Sequence, residues 1–172
     1  MKLTTRFATV LLAVVGVAFS QDWDRPAGQT DAQRTKQALE LKSAQDARQD
    51  YATCAETHKL TGPPVPTPYL ACVRYLIIAA YYKGMAAAVD ESGYVPTDKA
   101  AQLMAQQTAA LQKASYARSG VLALNEYLSC QSSLATPPPL NCKRFKDNAD
   151  KYDQLDKVLG ELKAQYPQPQ TK

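Results

Sequence analysis

Cys54, Cys72, Cys130 and Cys142 carry the most definite chemistry in this chain, and their spacing, with 17, 57 and 11 residues between successive members, narrows it. No Cys-x-x-Cys or Cys-x-x-Cys-His occurs, so zinc, dithiol-redox and covalent-haem motifs are missing. An even number of cysteines behind an apolar N-terminal leader reads as two disulfides closed in an oxidising compartment. Proximity favours Cys54 with Cys72 and Cys130 with Cys142. Four cysteines allow three pairings, and a helical domain with all four at one end permits the crossed ones as well.

Acid–base and nucleophilic chemistry have little to work with. His58 is the single histidine, with no second histidine or paired carboxylate at ligand spacing, so it reads as a helix-end residue. None of the seven glycines forms a phosphate-cradling loop, and no serine has a plausible base. The chain reads as a non-enzymatic protein with no cofactor and no metal.

The cysteines belong to a longer pattern written twice. Tyr51 precedes Cys54 by three residues, and a proline-bearing segment leads to Pro68-x-Leu70-x-Cys72-x-Arg74-Tyr75. Tyr127 precedes Cys130 by three, and a second such segment leads to Pro138-x-Leu140-x-Cys142-x-Arg144-Phe145. The simplest reading is a duplicated pair of helices clamped by a disulfide near their connection, with aromatics one helical turn from each cysteine packing beside it. A functional alternative makes the two proline loops and Arg74 and Arg144 one composite surface.

Residues 1–20 read as a secretory signal peptide. Lys2 and Arg6 precede an apolar run from Phe7 to Phe19, and Ala18 and Ser20 stand at the positions a signal peptidase reads. That run is short of the roughly 20 residues that span a bilayer, so no stable membrane anchor is expected. The expected location is secreted or periplasmic. Taking Lys2 and Arg6 from 20 basic residues leaves 18 against 16 acidic ones, a formal charge of +2 with no basic cluster. Nucleic acid is therefore a poor partner.

The elements that must position these residues read as helices throughout, because no segment alternates apolar and polar residues over a strand length. Residues 21–29 form a flexible N-terminus, 30–166 a helical bundle domain and 167–172 a disordered tail. Thr30 and Gln33 form a capping box that opens the first helix, which runs to about Leu60. Thr67 and Pro68 open the second, and Gly93 supplies a left-handed stop. Thr97 caps the third, with a kink or break expected at Ser119-Gly120. The fourth carries the stripe Phe145, Ala149, Tyr152, Leu155, Leu159, Leu162, Tyr166. Short connections predict an all-α, up-down-up-down four-helix bundle built from two disulfide-clamped helical hairpins.

The second helix exceeds what a bundle needs. From Tyr69 to Tyr82 it is apolar nearly all round, interrupted only by Arg74. Such a helix is wedged between neighbours or covers a partner. Tyr81 and Tyr82 lie about 100° apart on the helix, so one of them must sit at a boundary. Arg74, Tyr75, Tyr81 and Tyr82 are accordingly the expected binding residues. The leading reading is an exported protein that binds another macromolecule, of inhibitor, immunity or surface-interaction type. The second is a carrier of a small apolar ligand between the helices, since the Ala-rich first and third helices fill little volume beside a Tyr-rich one.

Overall fold

The computed structural model describes residues 28–60, 66–132, 140–151 and 154–168. The expected leader at 1–20, residues 21–27, the proline segments at 61–65 and 133–139, Tyr152, Asp153 and the last four residues lie outside the described residues. The described residues form five helices and no strand: α1 Asp31–Thr57, α2 Pro66–Ala88, α3 Thr97–Ser132, α4 Leu140–Asp150 and α5 Leu155–Gln165. Among them no helix is long and apolar enough to cross a membrane.

Each start and stop has a local cause. The Thr30 hydroxyl accepts from the Gln33 backbone amide, satisfying one orphan donor of α1. The Gln33 side chain does not close the expected box. It donates 3.0 Å to the Val89 carbonyl, and the Thr30 hydroxyl donates to the Glu91 carbonyl, so the cap of α1 is also its tether to the segment after α2. At its other end α1 stops at Thr57. Lys59 takes a left-handed conformation with φ 51°, and the Leu60 amide reaches back 2.8 Å to the Ala55 carbonyl. That geometry buries Leu60 and leaves His58 exposed at the cap.

Helix α2 ends at Ala88, earlier than the expected stop, and Asp90 organises the turn that follows. Its carboxylate accepts from the amides of Ser92 and Tyr94 and from the Ser92 hydroxyl, which holds the Asp90 carboxyl below the usual carboxylate range. Gly93 sits inside this turn at φ +82°, and an added Cβ would lie 3.0 Å from the Ala32 backbone. Glycine is thus required twice there, for conformation and for space. Thr97 is the first helical residue of α3, and the Pro96 carbonyl takes the first backbone bond from Ala100.

Two expectations for the later helices are corrected. Helix α3 runs unbroken through Ser119-Gly120 for 36 residues. Gly120 is buried beside Ala117 and Val121, which belong to the main core, and packing there overrides the weak local propensity. The single fourth helix is two, α4 and α5, separated after Asp150. Asp147, Asn148 and Asp150 in the last turns of α4 have low intrinsic helix propensity, which agrees with its ending there.

The helices pack as neighbours in sequence: α1 on α2, α2 on α3, and α3 on both α4 and α5. Among the described residues the backbone of α1 approaches no helix other than α2, so the seam that would close a four-sided bundle is absent. The main core gathers Tyr69, Leu70, Val73 and Ile77 of α2 with Ala114, Ala117 and Val121 of α3 and Leu159 and Leu162 of α5. A second cluster joins Tyr51, Ala55 and Leu60 to Cys72, with Cys54, Tyr75 and Leu76 at its edge. Helix α2 therefore presents one face to α3 and α5 and another to α1.

Both disulfides close locally, Cys54–Cys72 and Cys130–Cys142, with Cα separations of 5.6 and 5.8 Å. They do not stand side by side. Gly84 faces Leu103 so closely that an added Cβ would sit 2.7 Å from the leucine side chain, which fixes the register of the antiparallel α2 and α3. Counting back from Gly84, Cys72 stands level with α3 near residue 115, and at 1.5 Å per residue Cys130 lies about 22 Å further along. Beyond Val121, the end of α3 is joined to α4 by the Cys130–Cys142 disulfide, and the main core among the described residues takes no α3 residue past Val121.

Candidate functional site

The expected binding residues of α2 do not converge. Arg74 is exposed and its guanidinium lies 4.6 Å from the Tyr75 ring, donating to the Tyr75 hydroxyl at 2.7 Å. Arg144 lies 4.7 Å from the Phe145 ring, so both Cys-x-Arg-aromatic segments carry the same stacked pair. Tyr75 packs against the second core cluster. Tyr81 and Tyr82 meet edge to face at 5.2 Å, both half-buried. Tyr81 borders a cavity of about 90 Å³ with Ile77, Leu103 and Tyr166. No large side chain of α2 is among the exposed hydrophobics, which are Leu39, Leu41, Tyr94, Met104, Tyr116, Leu122, Leu124 and Leu128.

The cysteines and His58 do come together: the His58 ring and the sulfurs of Cys54 and Cys72 lie within 4.8 Å of one another. Because those sulfurs are bonded to each other, neither is a thiolate available to a metal. The arrangement is an exposed imidazole beside a disulfide.

A more capable site lies where α1, α2 and the end of α5 meet. Arg48 and Tyr51 of α1, Leu76, Ala79, Ala80 and Lys83 of α2, and Gln165, Tyr166 and Pro167 after the last turns of α5 line a cleft of about 490 Å³. A second hollow of about 400 Å³, lined by Leu41, Ala44, Gln45, Arg48 and Lys83, continues it along α1. Each is within the roughly 300–1,000 Å³ of small-molecule sites. Its apolar floor exists because the facing stretches of α1 and α2 are alanine-rich, so the backbones approach while little side-chain volume fills the space.

Three tyrosines organise this region. Tyr69, fully buried, directs its hydroxyl to the carbonyls of Tyr166 at 2.7 Å and Leu162 at 3.1 Å at the C-terminal end of α5, where the Leu162 carbonyl also accepts from the Tyr166 amide. Burial raises the Tyr69 hydroxyl well above the ordinary phenol range, with Tyr51 and Tyr166 nearby adding to the effect. Burial also raises Tyr51 and Tyr166. Tyr51 differs from Tyr69 in one respect: it is 7% exposed and, among the described residues, its hydroxyl has no hydrogen-bond partner. A buried hydroxyl without a partner costs about 1–3 kcal/mol, so its retention needs a reason.

The rim carries positive charge. Arg48 and Lys83 are exposed, and among the described residues neither has an ion-pair or hydrogen-bond partner, while nearby cations such as Lys36 and Lys42 are held by Glu40 and Asp46 on α1. Sequence reasoning placed Tyr51 beside a disulfide and Tyr166 on a core stripe. It passed over Arg48. The missing signal is tertiary, since the site draws on three helices spread along the chain from Arg48 to Pro167, although Lys83 inside an otherwise apolar helix was a local hint. No family model, curated protein or solved structure matches this chain.

Proposed function

We propose that this is an exported, non-enzymatic binding protein that carries a small apolar ligand in the cleft between α1, α2 and the end of α5. The scaffold is two disulfide-clamped helix pairs, with α2 as the shared inner element. The observation that carries the reading is the cleft itself: an apolar floor of Leu76, Ala79 and Ala80, walled by Tyr166, with the unpartnered Tyr51 hydroxyl beneath it. Two closed disulfides agree with an oxidising compartment. The test is displacement of a hydrophobic fluorescent dye. One-to-one binding is expected, abolished by A80W, which fills the cleft from an exposed position. Dye binding that survives A80W unchanged refutes the location, and its absence in the wild type refutes the reading.

Binding of another macromolecule is the second reading, and one observation moves its surface. Leu124 and Leu128 stand exposed one turn apart on the part of α3 beyond Val121 that the Cys130–Cys142 disulfide joins to α4. They are better placed for a protein partner than the half-buried Tyr81 and Tyr82. The L124E/L128E variant should lose any stoichiometric partner that the wild type retains through gel filtration, and a partner kept by that variant places the contact elsewhere.

A further inference from the structure

We infer that the cleft takes a single-chain amphiphile with a carboxylate head, held between Arg48 and Lys83 while its hydrocarbon chain lies over Leu76, Ala79 and Ala80 against Tyr166. The inference rests on the apolar-ligand reading and adds the charge and placement of the head group.

The argument starts from where charge is missing. Among the described residues, α2 carries only two charged side chains, and Arg74 is occupied by the Tyr75 ring and hydroxyl. Lys83 is the other, and it has no acidic partner although α1 beside it carries several acids. Arg48, across the same opening, has none either. Two unpaired cations bordering both hollows repel each other and attract an anion at their junction. The carbonyls at the end of α5 do not occupy them, because the Leu162 carbonyl accepts from the Tyr166 amide and Tyr69, and the Tyr166 carbonyl accepts from Tyr69.

Tyr51 supplies the second, independent observation. It shares the cleft wall with Arg48, one turn away on α1, and among the described residues its buried hydroxyl has no hydrogen-bond partner. A carboxylate is an acceptor only, so two cations and one phenolic donor make a matched set, whereas an ammonium head would meet the same two cations with no carboxylate in either lining to offset them. The hydroxyl is buried, so a neighbouring side chain of the cleft must shift for the head to reach it. The tail then occupies the remaining apolar floor. Long Arg and Lys stems suit this role because they cover hydrocarbon while keeping the charge at the surface.

Titration calorimetry of the disulfide-closed protein with laurate, lauryl alcohol and laurylamine, below their aggregation concentrations, tests the inference. Laurate should bind one-to-one and about tenfold more tightly than the alcohol, the size expected for charge-assisted contacts at a part-solvated rim, with the amine weakest. K83Q should reduce laurate to the level of the alcohol without changing alcohol binding, K83R should retain laurate, and Y51F should weaken laurate alone. Equal binding of laurate and alcohol, tighter binding of the amine, or a K83R variant that falls with K83Q overturns the carboxylate head while leaving the apolar-ligand reading standing. Binding of none of the three overturns both.

Discussion

Removing the same atom from Tyr69 and from Tyr51 should have opposite consequences. In Tyr69→Phe the Tyr166 carbonyl loses the donor 2.7 Å away, while the Leu162 carbonyl keeps the Tyr166 amide at 2.8 Å. One net hydrogen bond plus a partly buried acceptor left unmet amounts to about 1–2 kcal/mol of lost stability. In Tyr51→Phe no hydrogen bond is lost, because that hydroxyl has none, and an unmet desolvation cost is relieved. The expected change is about 0–1 kcal/mol in the stabilising direction. Urea unfolding followed by circular dichroism separates them: with an m-value of about 1.5–2 kcal/mol/M, Tyr69→Phe should lower the midpoint by about 0.5–1.3 M, and Tyr51→Phe should leave it unchanged or raise it. The comparison is internally controlled, since both variants make the same chemical change on the same helix pair. If Tyr51→Phe costs as much as Tyr69→Phe at constant m, the assignment of one hydroxyl as a cap and the other as reserved for a ligand is wrong.

Other consequences can be checked separately. Lys59→Gly should stabilise the protein by about 1 kcal/mol in the same assay, because lysine occupies a left-handed conformation that glycine adopts freely. Gly93→Ala should destabilise by more than about 1 kcal/mol, since both its φ and the Ala32 backbone oppose a Cβ. Replacing Cys54 and Cys72 together by Ala should cost about 3 kcal/mol from loop-closure entropy, and replacing Cys130 and Cys142 slightly less for the shorter loop. The first pair should show the larger loss in thermal unfolding because Cys72 also packs with Tyr51, Ala55 and Leu60 in the second core cluster. For pH, the tyrosine hydroxyls raised above their ordinary value of 10 hold their protons more tightly in the native state. The stability they contribute is fully present below pH 10 and is lost as pH rises above it. Phenolate absorbance of these three residues should therefore appear together with unfolding; an early titration of Tyr69 in the native protein would contradict its burial.

The sequence was most informative where chemistry is local. Thr30 before Gln33 marked the start of α1, and cysteine proximity marked the pairing, because a cap and a short loop are both decided within a few residues. Two boundaries were misjudged for opposite reasons. At Gly120 a poor local propensity lost to the packing of Ala117 and Val121 against α2 and α5, which no window of sequence reports. At 147–154 a convincing stripe of apolar residues hid the Asp and Asn side chains between them, and there local chemistry won. The cleft was the least legible feature. Its floor is made by what alanines leave empty, and emptiness has no residue to announce it. The cation pair was equally silent, since Arg48 and Lys83 become neighbours only when the register of α1 on α2 is known.

The length of α3 has a consequence for how the molecule comes apart. At 1.5 Å per residue its 36 residues span about 54 Å, yet among the described residues its part in the core shared with α2 and α5 ends at Val121, and the remainder is tied to α4 by one disulfide. A single unbroken helix therefore belongs to two cooperative units of unequal size. Amide exchange along it should fall into two plateaus, slow from about Leu111 to Val121 and faster from Ala123 to Cys130, with no break in the helix itself. The far end and α4 can open together as a tethered flap, returning to register because the Cys130–Cys142 link keeps them within reach, while the cleft at the other end stays assembled.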